Sequence, residues 1–136
     1  RALLGYERPT VAGETDVSVV AELEALLDAL RAGDPELEIE GRRITSRPPY
    51  ALDPSHELPT RLTKFARAHG AAAPVTGMSF WTDAAILGEA GIPSVLFGPG
   101  GAGLHSTEEY VTLADVETCA AALADLALEY CAIEGW

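Results

Sequence analysis

At 136 residues, 48% of them hydrophobic, the chain is long enough to bury the core of one domain, which excludes wholesale disorder. Its 21 acidic and 9 basic residues give a net charge of −12, and no basic cluster exceeds Arg42-Arg43, which argues against nucleic acid as a partner. No apolar run reaches the ~20 residues that span a bilayer and no signal peptide is visible, so we expect a cytoplasmic protein without a membrane partner.

The first half predicts an extended segment, a helix and a strand, in that order. Residues 1–14 contain short apolar pieces and two glycines, which indicates an extended segment ending in a turn. Asp16 can cap a helix whose apolar residues recur at spacings of three and four, and Gly33 ends it. Residues 36–40 alternate acidic and apolar side chains, as a strand with one solvent-exposed face does. Prolines between residues 48 and 54 then predict a domain boundary, which we place after residue 52.

The second half predicts helices that alternate with buried strands. A helix over residues 57–69 is followed by a strand over residues 75–81 and a short helix over residues 82–91. Residues 92–98 form a compact apolar run between proline and glycine, typical of a strand buried on both faces. This alternation predicts an α/β fold, in which helices cover a parallel sheet.

The last predicted helix begins at Thr112, with Asp115 completing a capping box. Both cysteines lie in it, twelve residues and roughly 18 Å apart along the helix, too far to form a disulfide. Cys119 lies on its apolar face, which favours a core residue over a nucleophile. The residues of that face recur at spacings of three and four: Val116, Cys119, Leu123, Leu126 and Tyr130.

The glycine-rich loop after residue 97 has the clearest chemical content. Four glycines among residues 98–103 allow the backbone to approach a ligand closely. His105 follows, and acidic residues lie three and four positions further on; its neutral imidazole can bind a metal, and a carboxylate can fix its tautomer. By residue type alone, however, a lone histidine in a loop is more often a polar surface residue. The loop also matches neither a dinucleotide fingerprint nor a P-loop.

Several motifs resemble the co-catalytic zinc hydrolases that include acetylornithine deacetylase, succinyl-diaminopimelate desuccinylase, aminoacylase and carboxypeptidase G. In chain order they are Thr82-Asp83-Ala84, Gly91-Ile92-Pro93, Phe97-Gly98-Pro99-Gly100, and His105 followed by Glu109-Tyr110. Upstream, residues 7–14 are similar to the family's segment of acid, any residue, Arg, Thr, apolar, Pro, Gly, Glu. By this resemblance, residues 1–52 are part of a lid or dimerisation domain, and residues 53–136 are the C-terminal part of the catalytic domain.

The resemblance implies that His105 binds one of two zinc ions, with cobalt or manganese as alternatives, in a peptidase or deacylase. Water activated between the metals would attack the amide carbonyl of an N-acyl amino acid or small peptide. The other ligands and the general base correspond to residues N-terminal to this chain, which also opens on Arg1 without an initiator methionine. We therefore expect a fragment that holds no catalytic residue, is inactive alone and forms part of a possible homodimer. Trp81 and Gly101 are expected near the substrate.

Two acidic residues keep two interpretations each. Asp83 either begins a helix or contacts a residue that binds the metal, without binding the metal itself. Glu109 is either a partner of the His105 imidazole or a solvated acid. The sequence also departs from the family, since Pro9 aligns with an arginine that binds a substrate carboxylate. Arg8 is adjacent, but neighbouring side chains of a strand point to opposite faces, so Arg8 is not a simple replacement.

Two other functions compete with this interpretation. The segment around Ser79 begins like a nucleophile elbow, which would indicate a serine hydrolase, but Trp81 replaces its second glycine. Only 26 positions separate Ser79 from His105, which leaves little room for an acid between them. The chain could alternatively be a non-catalytic folding or dimerisation unit. We expect His56 and His69 to be structural, since His69 ends a helix where the dipole favours it.

Overall fold

The computed structural model describes residues 2–132, which form four helices and one two-stranded sheet. The elements are α1 (Asp16–Gly33), α2 (Glu57–Ala68), α3 (Ala84–Glu89), β1 (Gly101–Ala102), β2 (Tyr110–Val111) and α4 (Leu113–Tyr130). These residues divide into two compact units. The first contains residues 2–51 and 78–90, and the second contains residues 52–77 and 91–132. Over residues 2–132 no helix is long and apolar enough to cross a membrane.

The N-cap of helix α1 is Thr15, one residue before the Asp16 that the sequence predicts. Thr15 Oγ1 accepts a hydrogen bond from the Ser18 amide (3.2 Å), and Ser18 Oγ accepts one from the Thr15 amide (3.0 Å). This reciprocal pair satisfies two amides that the helix leaves unbonded. The carboxylate of Asp16 instead bonds to Ser46 and Arg43. The predicted end of the helix at Gly33 is confirmed.

The segment after α1 packs against that helix instead of forming the predicted strand. Arg31 donates from Nη2 (2.9 Å) and Nε (3.3 Å) to the carbonyl of Ile39. A Cβ on Gly41 would lie 2.7 Å from Cδ1 of Leu27, which is itself buried at 5% exposure. Residues 39–41 therefore approach α1 closely, and a hydrogen-bonded arginine takes the place of a strand ladder.

Helices α2 and α4 pack together and form the core of the second unit. Leu62 and Ala66 of α2 are buried, as are three residues of α4: Cys119, Ala122 and Leu126. The predicted apolar face of α4 is therefore partly wrong, because Val116, Leu123 and Tyr130 are 39%, 46% and 39% exposed. Apolar residues surround most of α4, so their spacing does not select one face. The packing with α2 selects the face that contains the small Ala122.

The predicted parallel sheet does not occur among residues 2–132. Residues 36–40, 75–81 and 92–98 lie outside every helix and strand, and the sheet that does form is an antiparallel pair. A strand exists only where a neighbouring backbone supplies its hydrogen bonds, and an apolar pattern cannot provide that neighbour. The described part of the chain is thus a mixed fold, in which helices and one small antiparallel sheet are joined by long irregular segments.

Candidate functional site

A short hairpin carries the histidine that the sequence singled out. Strands β1 and β2 pair antiparallel, with Gly101 opposite Val111 and Ala102 opposite Tyr110. Residues 103–109 connect them, so His105 lies in an exposed connection between two paired strands. A Cβ on Gly101 would lie 2.0 Å from the carbonyl oxygen of Tyr110. Glycine is therefore a structural requirement of this pairing, independent of the substrate contact predicted for Gly101.

The connection is tightly wound around His105. The Ser106 amide donates to the carbonyl of Gly103 (2.7 Å) and closes a four-residue turn with His105 in its third position. There His105 has a φ of 63°, the region that type II turns require and that favours glycine or asparagine. Such a conformation costs on the order of 1–2 kcal/mol for an ordinary residue. The surrounding contacts must therefore hold His105 in place.

Two side chains close the connection with further hydrogen bonds. Glu109 Oε2 accepts from the backbone amide of His105 (3.1 Å), and Ser106 Oγ accepts from the amide of Glu108 (3.2 Å). The bond that Glu109 makes is thus with the backbone of His105. A contact between this carboxylate and the imidazole stays a prediction. The sequence did not single out Ser106, which any pattern would read as an ordinary loop serine.

A hollow of about 270 Å³ lies against the hairpin, and both Gly101 and Glu109 line it. Within residues 2–132, no three side chains of His, Cys, Asp or Glu lie close enough together to hold a metal ion. His105 therefore offers a single imidazole donor. A structural or catalytic zinc site needs three or four protein ligands, so the described residues do not form one by themselves.

Trp81 and Asp83 belong to the first unit, whereas Gly101, His105 and Glu109 belong to the second. Asp83 immediately precedes α3, and its carbonyl accepts from the amides of Ile86 (3.0 Å) and Leu87 (3.1 Å). Its side chain makes no capping bond. These contacts give Asp83 a structural place at the helix start, and a role near a metal stays a prediction.

Trp81 is 43% exposed, and the guanidinium carbon of Arg47 lies 5.4 Å from the centroid of its ring. A cation at this distance from an indole is attracted by the ring's negative face. Arg47 was missed by sequence reasoning, because a contact between residues so far apart along the chain leaves no local pattern. The contact holds one face of the ring that is predicted to lie near the substrate.

Arg8 is held by two carboxylates. Its guanidinium donates to both oxygens of Glu14 (2.8 and 2.7 Å) and lies 2.9 Å from Glu22. Hydrogen bonding to Arg8 first, and then to the Val11 amide, lowers the pKa of Glu14 from its usual 4.5 to about 2. The hydrogen bond from Glu14 likewise raises the pKa of Arg8. Arg8 therefore cross-links residues 8–14 to each other and to α1.

The other candidate groups have structural surroundings. His56 Nδ1 accepts from the Leu58 amide (3.1 Å) at the start of α2, and His69 Nε2 lies 2.7 Å from Asp125 Oδ2 at its end. Burial raises the pKa of the Cys119 thiol, with a smaller effect from the charge of Asp115. No hydrogen bond among residues 2–132 joins Ser79 to a histidine.

Comparison with known protein families matches residues 3–129 of the chain to Peptidase family M20/M25/M40. The matched region contains every candidate site residue, from Trp81 to Glu109. It also contains both compact units almost entirely. No curated protein and no solved structure matches the chain.

Proposed function

Because the chain belongs to Peptidase family M20/M25/M40, a family of metal-dependent peptidases and hydrolases, we propose that it is the C-terminal part of a zinc-dependent amide hydrolase. The substrates we propose are N-acyl amino acids or small peptides, so that the enzyme is a deacylase or peptidase. In this proposal residues 1–52 belong to a lid or dimerisation domain and residues 53–136 to the catalytic domain. The four motifs that end at His105 and Glu109-Tyr110 support the assignment.

The observation that carries the proposal is the backbone of His105. A histidine with positive φ, in an exposed connection held by three hydrogen bonds, has no packing role that would explain its cost. Sparsely populated conformations of this kind cluster at functional sites. We assign His105 as one metal ligand, bound through its neutral imidazole. Trp81 and Gly101 are proposed to face the substrate. Asp83 is proposed to contact a residue that binds the metal.

His105 would hold one of a pair of zinc ions, which when bound would supply a water of lowered pKa and positive charge for the negative charge that develops on the carbonyl oxygen of the amide. His105 contributes one of the donors that such a pair needs, and the described residues do not complete the set. The remaining ligands and the general base are therefore proposed to come from another part of the complete enzyme. The 136-residue chain alone is expected to bind zinc weakly and to have no hydrolase activity.

Apolar residues that are exposed in this chain support the proposal that it is one part of a larger catalytic domain. Ile92 and Leu96 are 51% and 50% exposed within an extended segment, although its sequence is typical of a buried strand. On α4, Leu113 and Leu128 are each 74% exposed, and a helix that is apolar on most sides is normally buried. We propose that residues 92–98 pair with strands from the rest of the catalytic domain, and that this sheet covers the second apolar face of α4.

A deacylase assay with and without a chelator tests the function. The complete protein that contains this chain should hydrolyse N-acyl amino acids or dipeptides, lose activity on metal removal and regain it when zinc is added. The 136-residue chain should be inactive under both conditions. Chelator-insensitive hydrolysis that disappears in Ser79→Ala would instead support a serine hydrolase, and full activity of the chain alone would contradict the proposed division of the site.

A further inference from the structure

His105 is held in an unfavourable backbone conformation by very few contacts. Among the described residues, His105 is the one residue other than glycine that has a positive φ, and the chain around it is exposed. The turn bond from Ser106 to Gly103 leaves the amide of His105 unused, because a turn of this type bonds the amide of its fourth residue and not of its third. An acceptor for this amide would therefore stabilise the positive φ of His105.

Glu109 supplies the acceptor. Its Oε2 lies 3.1 Å from the amide nitrogen of His105, and an ionised carboxylate is a stronger acceptor than a neutral group. The neighbouring Glu108 serves the loop through its backbone alone, since its amide donates to Ser106 Oγ and its carbonyl approaches Gly103. Two adjacent acids of the same type thus have different roles at this connection.

We propose that Glu109 is a positioning residue that fixes the left-handed conformation of His105, and so the direction of its imidazole, through the backbone amide. The inference rests on the proposed role of His105 as a metal ligand. It differs from a contact with the imidazole, because the part of Glu109 that matters is an acceptor oxygen directed at the main chain. Without that oxygen, His105 relaxes toward negative φ, and its imidazole leaves the direction that the turn gives it.

Three variants of the 136-residue chain separate these possibilities: Glu109→Ala removes the acceptor, Glu109→Gln keeps an oxygen without the charge, and Glu108→Ala removes the neighbouring charge. The measurements are NMR amide exchange at His105 and its intraresidue amide–Hα Overhauser effect, which is strong at positive φ. Exchange at His105 should be about three- to tenfold faster in Glu109→Ala, with loss of the positive-φ signal. Glu109→Gln should retain the signal and stay within about twofold of the parent, and Glu108→Ala should match the parent.

An unchanged His105 signal in Glu109→Ala would overturn the proposal. Equal losses in Glu109→Ala and Glu109→Gln would also overturn it, because they would show that the charge of Glu109 matters and its acceptor oxygen does not suffice. A loss in Glu108→Ala would overturn it too, because the conformation would then depend on a residue outside this hydrogen bond. Amide exchange at Ala122, in the α2–α4 core, serves as the check that each variant is folded. Zinc content of His105→Ala and its parent, measured in the complete protein, tests the proposed ligand separately. Parental zinc content in that variant together with the expected exchange pattern would fault the metal assignment and leave the Glu109 contact standing.

Discussion

Two leucines of α4 differ in environment and give a matched test of its packing. Leu126 is 9% exposed in the α2–α4 core, whereas Leu128 is 74% exposed two residues later in the same helix. Replacement of either by alanine changes helix propensity equally, so the difference in unfolding free energy reports packing alone. Leu126→Ala loses most of the transfer free energy of a buried leucine and leaves a cavity, at a cost of about 2–3 kcal/mol. Leu128→Ala should cost less than about 0.5 kcal/mol.

The same pair tests the proposed cover of α4. If the rest of the catalytic domain packs over the second apolar face, Leu128→Ala should cost about 2 kcal/mol or more in the complete protein, although it is nearly neutral in the 136-residue chain. Urea unfolding followed by circular dichroism at fixed protein concentration measures both. Equal costs for the two variants in the isolated chain would refute the packing of α4. A neutral Leu128→Ala in the complete protein would refute the proposed cover.

Three further predictions follow from contacts in the two units. An NMR titration should place the pKa of Glu14 near 2, and Arg8→Ala should raise that pKa toward 4.5. Because the pKa of Glu14 is lower in the folded than in the unfolded chain, the Arg8–Glu14 pair stabilises the fold above about pH 4.5. That stabilisation is lost as the pH falls toward 2. A midpoint that Arg8→Ala leaves unchanged would contradict the contact. Cys131 is exposed and Cys119 is buried with a raised pKa, so a thiol reagent should modify one cysteine quickly and the second only after denaturation, in contrast to two equal rates if both were accessible. Gly101→Ala should disrupt the β1–β2 pair at a cost of about 1–3 kcal/mol, because the new Cβ would overlap a carbonyl oxygen; unchanged strand signals by NMR would count against the register.

Local chemistry predicted the helices well and the strands poorly. Gly33 ends α1, and α4 begins after Thr112, whose Oγ1 accepts from the amide of Asp115 (3.2 Å), because caps act within a few residues. At the start of α1 both Thr15 and Asp16 can cap, and the pairing with Ser18 selects Thr15, a choice that residue type alone does not make.

Sheet pairing and side-chain direction depend on residues far apart in the chain. Residues 92–98 have the composition of a buried strand, but a strand also needs a neighbour, which the described residues do not provide. The motifs that end at His105 predicted the family correctly, and the match over residues 3–129 confirms it. The positive φ of His105 and its bond to Glu109 could not be predicted, because positive φ is uncommon for any residue other than glycine and the bond depends on how residues 103–109 wind.

Metal content of His105→Ala in the complete protein tests the central claim most directly. Zinc per chain, measured by elemental analysis after gel filtration, should fall well below that of the parent, while the melting temperature stays close to it because an exposed loop histidine contributes little packing. His69→Ala is the matched control: it should lower the melting temperature through loss of its contact with Asp125 and leave the zinc content unchanged. Parental zinc content in His105→Ala would contradict the assignment of His105 as a metal ligand.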